Sequence, residues 1–192
     1  MPKKLDIFAI IKKKRVMRAK DLGRYVASGA QLRRYANDGR LIALGAGYYA
    51  DPSLDPLTAA LAVVARYYPR AVISNITALF VHGLTDERID LIDVDISRQS
   101  SIRNKLIRTH RVNPKIIMGI EETIYNGIKL KVYSKERALC DAYHFDPGGP
   151  IFLKAFKRYV KTSTIDATAI AAYDKLLKTD VLRAVMQELA EA

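Results

Sequence analysis

Ser28-Gly29-Ala30-Gln31-Leu32-Arg33-Arg34-Tyr35-Ala36-Asn37-Asp38-Gly39, followed by Arg40-Leu41-Ile42-Ala43-Leu44-Gly45-Ala46-Gly47-Tyr48-Tyr49-Ala50, is the stretch on which the fold turns. Ser28 with Gln31 three residues later fits a capping box, in which each side chain satisfies a backbone donor at a helix start. Gly39 stands where a left-handed cap would close that helix. At 100° per residue, Leu32, Tyr35 and Ala36 share one face. Ala30, Arg34 and Asn37 lie opposite, with Gln31 and Arg33 on the shoulders. The next residues read as a hairpin: Leu41–Leu44, a tight turn at Gly45-Ala46, then Gly47–Ala50.

Upstream, Lys3–Lys14 places Ile7, Ile10 and Ile11 on one helical stripe and ends in the basic run Lys12-Lys13-Lys14-Arg15. A second short helix is expected over Ala19–Val26. Three short helices and then a hairpin is the order of a winged helix-turn-helix. The Ser28–Gly39 helix also has the division of residues that a major-groove helix needs. Arg can bond guanine bidentately, and Gln or Asn can do the same to adenine. Gln31, Arg33, Arg34 and Asn37 are therefore the candidates for base contact. Lys12, Lys13, Lys14, Arg15 and Lys20 are candidates for phosphate contact, which fixes register without reading sequence.

Charge points the same way. The 192-residue chain carries +12, and residues 1–50 hold 12 basic and 3 acidic side chains, a net of +9. Concentrating charge there suggests a polyanion partner for the amino-terminal region, double-stranded DNA. A 49% hydrophobic share rules out wholesale disorder. The apolar run Ile7–Ile11 is too short for a membrane span or a secretory signal. The single cysteine, Cys140, makes no intramolecular disulfide and no cysteine metal cluster. The expectation is a cytoplasmic protein with no cofactor, no metal and no membrane partner.

Asp51-Pro52-Ser53-Leu54-Asp55-Pro56 reads as a linker, dividing a DNA-binding domain over 1–50 from a larger α+β domain over 55–192. Beyond it, helices are expected over Leu57–Tyr68, from Ser74 to His82, and from Ser134 to Tyr143. Strands are expected over Ile89–Ile96, Leu106–Val112 and Ile128–Val132, with Asn126-Gly127 as a turn. After the break Asp146-Pro147-Gly148-Gly149-Pro150 come three helical stretches, Phe152–Lys161, Asp166–Lys178 and Val181–Ala190. His82 is read as closing a helix and Cys140 as buried. From Ser97 to Ile120 there is no acidic residue, while Arg98, Arg103, Lys105, Arg108, Arg111 and Lys115 all fall inside. That tract is a candidate surface for DNA or for an acidic protein, or else a solvated basic edge strand. Asp93 and Asp95 alternate with Ile92, Val94 and Ile96, which predicts a solvent-facing carboxylate pair on a half-buried strand.

The sequence resembles AbiEi-family antitoxins of type IV toxin–antitoxin systems in three segments. The first is Ser28 … Leu32-Arg33-Arg34-Tyr35 … Gly39-Arg40-Leu41 with Gly47-Tyr48-Tyr49. The second is Ser74-Asn75-Ile76-Thr77-Ala78-Leu79 … His82-Gly83-Leu84, and the third is Ser134-Lys135-Glu136-Arg137-Ala138-Leu139-Cys140-Asp141. The resemblance implies a non-enzymatic protein that represses its own promoter and neutralises a co-encoded nucleotidyltransferase toxin. Arg18, Val26 and Ala46 depart from the family's usual helix cap, turn glycine and wing arginine. Two other functions are compatible with the residues. One is a stand-alone transcription factor whose second domain senses a ligand or dimerises. The other is a nucleotidyltransferase in which Asp93 and Asp95 share Mg²⁺. Oligomeric state is not encoded in any motif.

Overall fold

Local signals and long-range pairing together produce an α+β chain with two sheets. The computed structural model describes residues 6–23, 25, 26 and 28–190. In chain order the elements are α1 (Ile7–Lys14), β1 (Val16–Arg18), α2 (Ala19–Leu22), α3 (Gly29–Asn37), β2 (Ile42–Gly45), β3 (Tyr48–Ala50) and α4 (Pro56–Tyr67). They continue with β4 (Val72–Ile73), α5 (Asn75–Val81), β5 (Ile92–Ser97), β6 (Ile107–Val112), β7 (Ile120–Tyr125) and β8 (Ile128–Tyr133). The last are α6 (Lys135–Phe145), α7 (Pro150–Thr162), α8 (Ala167–Leu177) and α9 (Val181–Ala190). The chain forms two compact units. The first is Met1–Pro69 with Arg103–Ile107 and Ile124–Leu130; the second holds the remainder.

In the first unit, Asp6 starts α1 by accepting the Phe8 N–H at 3.0 Å. The expected start of this helix at Lys3–Leu5 lies outside the described residues. Ile7 and Ile11 are buried, and Arg15, at φ +65°, closes the helix by donating its N–H to the Ile11 carbonyl. The chain passes directly into β1, an element the sequence reading lacks. β1 pairs antiparallel with β3 (Val16↔Ala50, Met17↔Tyr49, Arg18↔Tyr48), and β3 pairs with β2, giving the order β1-β3-β2. The hairpin turn is Ala46-Gly47, one residue later than expected. Both residues have positive φ, +50° and +76°, as the twist-matched two-residue turn requires. Ile7, Ile11, Met17, Leu22, Leu32 and Leu41 form the core between the three helices and this sheet.

α4 begins where Asp55 accepts the Thr58 N–H at 2.9 Å, with Pro56 in the first turn. Thr58 to Val64 are all buried, and the helix packs on β1 and β2, so it belongs with the first unit. Asp51–Asp55 is correspondingly a packed turn and not a loose linker. Asp51 is only 4% exposed and pairs with Arg15 at 3.1 Å, and Leu54 is buried as well. Two exposed prolines restrict a turn anchored by buried Asp51 and Leu54 as readily as they stiffen a linker.

The five-stranded sheet has the order β6-β5-β4-β8-β7, with β4 antiparallel to β5 and parallel to β8. Asn126-Gly127, both at positive φ, turn β7 into β8 as expected. α5 packs on β5 and on α6, and α6 packs on α7, α8 and α9. Ser134 starts α6 by accepting the Arg137 N–H. β4 and β7 are strands that the sequence reading lacks.

One expectation is overturned here. Asp93 and Asp95 are not solvent-facing: they are 3% and 4% exposed, and Ile92, Val94 and Ile96 are buried as well. β5 is an inner strand covered on both faces. The alternation that predicts an amphipathic strand instead sorts a polar buried face from an apolar one.

Candidate nucleic-acid interface

α3 is held by its inner face. Leu32 is buried, while Tyr35 and Ala36 are half-buried on the same side. Ser28 accepts the Gln31 N–H at 3.4 Å to start the helix, and Gly39, at φ +70°, ends it. Ala30, Arg33, Arg34 and Asn37 are exposed on the opposite side. The Arg34 side chain is 82% exposed, with Asp38 one turn on at 3.9 Å. Gln31 is half-buried and its amide donates to the Tyr35 hydroxyl at 2.7 Å, so this candidate is oriented by its own helix. Lys12, Lys13, Lys14 and Lys20 are exposed.

Other basic residues of the first unit have internal roles. Arg15 bonds Asp51 and Ser53, which fixes the corner before α4. Arg18, at the start of α2, makes no side-chain cap; its guanidinium lies 4.3 Å from the Tyr67 ring centre and its Nε donates to the Tyr48 hydroxyl. The capping work passes to Tyr67, whose hydroxyl accepts the Arg18 N–H at 2.9 Å and donates to Asp21 at 3.2 Å. Arg40 lies over the Phe8 ring at 3.8 Å. Arg18 and Arg40 thus use aromatic faces, partners that a pattern of helical spacing does not reveal.

Arg98, Arg103, Lys105, Arg108, Arg111 and Lys115 are all exposed, but the tract divides. Arg103 and Lys105 group with the first unit, the others with the second. β6 is an edge strand, and Arg108 and Arg111 stand on it, as a solvated basic edge would have them. Arg111 donates to the Ser100 carbonyl at 3.1 Å. Arg108 reaches inward to Asp93 at 3.4 Å.

Asp93 belongs to a polar network inside the second unit that sequence reasoning missed. Its Oδ1 accepts from His110 Nε2 at 2.9 Å and from Arg108, and its Oδ2 accepts from Thr77. The bond to Asp93 raises the His110 pKa above its ordinary value and favours the imidazolium. The Tyr133 hydroxyl donates to Asp95 at 3.0 Å, and burial followed by the Asp95 charge pushes its own pKa up. Arg137, 1% exposed, donates through Nε to Asp141 and through Nη1 to the Ile116 and Met118 carbonyls. Burial pushes the Asp141 carboxyl up to about 7 against the opposing pull of Arg137. His82 closes α5 as expected, its backbone N–H donating to the Ala78 carbonyl, and its Nε2 donates to the Tyr133 carbonyl at 2.7 Å. Cys140 is buried and its thiol pKa is pushed up by desolvation, so it is a packing residue.

The Ser74–Leu84 and Ser134–Asp141 segments, which carry the resemblance, therefore supply Thr77, His82, Arg137 and Asp141 to this network. Among the described residues no three His, Cys, Asp or Glu side chains are arranged to hold a metal ion, and no helix is long and apolar enough to cross a membrane. No protein-family model and no curated protein matches the chain.

Proposed function

We propose that the chain is a DNA-binding regulator and antitoxin. In this reading the first unit is a winged helix-turn-helix, with α3 as the recognition helix and β2–β3 as the wing. The observation that carries it is the outward row of Arg33, Arg34 and Asn37 on a helix pinned from behind by Leu32. The exposed Lys12, Lys13, Lys14 and Lys20 supply cations for phosphates, and repression follows from occupying the promoter. The resemblance to AbiEi-family antitoxins supports assigning the second unit to neutralisation of a co-encoded nucleotidyltransferase toxin.

Two experiments test the two halves. Fluorescence anisotropy with the chain's own promoter and a scrambled duplex of equal length should show tighter binding to the promoter. It should also show a logarithmic salt dependence with a slope of about −0.9 per phosphate neutralised. Equal affinity for both duplexes would remove the regulator. In a growth assay, the neighbouring open reading frame is induced with and without this chain. Arrest relieved by the chain is the expected result. A harmless neighbour, or unrelieved arrest, would remove the antitoxin and leave the DNA-binding half standing.

A further inference from the structure

The β2–β3 hairpin, Ile42 to Ala50, carries no charged side chain. Any phosphate contact it makes rests on backbone N–H groups or its tyrosines, with no cation to neutralise the charge. Two cations from a distant part of the chain are held beside it. β3 leaves the turn with Tyr48 and Tyr49 facing opposite ways. Tyr49 packs against the core that holds Leu32 of α3. Tyr48 turns instead to the end of α4, where its ring lies 5.3 Å from that of Tyr67 and its hydroxyl 3.1 Å from that of Tyr68.

The Tyr68 hydroxyl in turn accepts from Asn104 Nδ2 at 3.2 Å. Asn104 is itself locked: its Oδ1 accepts the Leu106 N–H at 3.0 Å, and its carbonyl accepts the Ile107 N–H at 3.1 Å. Through Tyr68 the loop Arg103–Ile107 is thus tied to the strand that follows the wing turn. It belongs to the first unit although it lies between β5 and β6 in sequence. Asn104 is half-buried, while Arg103 and Lys105 on either side of it are exposed. Neither pairs with an acidic group among the described residues, and the tract from Ser97 to Ile120 contains none. Two like charges held two residues apart repel, and an external anion relieves what the fold does not.

We propose that Arg103 and Lys105 form a second phosphate-binding site on double-stranded DNA, on the far side of the wing from α3. The site rests on the reading of the first unit as a winged helix-turn-helix. A duplex is then met in order by the outward face of α3, the uncharged hairpin and the Asn104 loop, which lengthens the footprint past the wing. Contacts of this kind add affinity and salt dependence without reading sequence.

Fluorescence anisotropy on the full chain tests it, with the chain's own promoter and a scrambled duplex at several salt concentrations. Arg103→Gln combined with Lys105→Gln should weaken both duplexes alike, by roughly tenfold or more at about 0.1 M salt, and keep their ratio. The logarithmic salt slope should become shallower by about 1.8, the share of two phosphates. Both side chains are exposed, so the Tm should stay that of the parent. Arg98→Gln combined with Lys115→Gln removes the same charge from the same tract but from the second unit, and should leave the slope unchanged. A parent that shows no preference for its promoter would remove the winged-helix reading and this site with it. A parent that does prefer its promoter, beside an Arg103 and Lys105 variant with the same slope, would overturn this site alone. An equal loss from the Arg98 and Lys115 pair would also overturn it, by tracing the effect to net charge. So would an Arg103 and Lys105 variant that binds DNA as the parent does yet no longer relieves growth arrest, which would assign the loop to a protein partner.

Discussion

The outward face of α3 and the buried face of β5 use similar charged side chains in opposite ways. Arg33 and Arg34 stand in solvent on a helix whose anchoring is entirely apolar. Asp93, Asp95, Arg137 and Asp141 are buried; the first three each have a partner from another element of the same unit, and Asp141 takes its bond from Arg137 one turn back on α6. A charge of the first kind adds nothing to the fold and is available to a partner. One of the second kind holds strands and helices in register, and its removal leaves another charge uncompensated. The contrast shows why charge on a sequence is not by itself a map of a binding surface.

Substitutions should separate the two regions by effect. Arg137→Ala should destabilise the chain by roughly 3–5 kcal/mol, since it strands Asp141 in the interior. Urea denaturation measures this, and a loss no larger than that of a surface variant would break the contrast. Arg34→Ala should leave stability within about 0.5 kcal/mol of the parent. It should also reduce discrimination at one base pair by roughly 1–3 kcal/mol. Competition between promoter and single-site variants measures that, and a uniform loss across sequences would reassign Arg34 to the phosphates. Lys13→Ala should produce such a uniform loss and a shallower salt dependence.

A smaller effect is expected at His110, whose raised pKa has a definite sign. The bond to Asp93 stabilises the folded state fully below the unfolded value of about 6.5 and is lost as pH rises through the folded value. His110→Gln should therefore lower stability by roughly 1 kcal/mol in acid and by less in alkali. Parallel melting curves at the two ends of that range provide the check, and a gap that widens with pH would contradict the assignment. The smallest change is Ala46→Gly. Relief of the positive φ should raise stability by about 0.5 kcal/mol, seen as a higher Tm, with DNA affinity retained.

Legibility in the sequence follows how local each signal is. Ser28 and Gly39 bound α3 from adjacent residues, and Asn126-Gly127 makes its turn by backbone preference alone, so both are readable. β1 is three residues with no alternation, and its pairing partners, Tyr48 to Ala50, lie some thirty residues on. Nothing local marks it. For the exposed candidates on α3, helical spacing sorts outside from inside. It cannot show that Gln31 turns to Tyr35 or that Arg15 pairs with Asp51. Asp93 and Asp95 mislead because a strand with polar residues on one face looks the same whether water or Thr77, His110 and Tyr133 lies against it. Those partners come from three other elements, and only the sheet order brings them to β5.

The Tyr67 hydroxyl has a consequence for inheritance. α2 is a single turn that lacks its own side-chain cap, and both its first free N–H and its Asp21 are tied by a tyrosine from the end of α4. The short helix α2 is therefore completed by a residue lying beyond the hairpin. A unit transferred to another protein by recombination would need to travel as far as Pro69 to keep α2 tied; cut at the hairpin, it would leave the Arg18 N–H and Asp21 without the tyrosine that joins them.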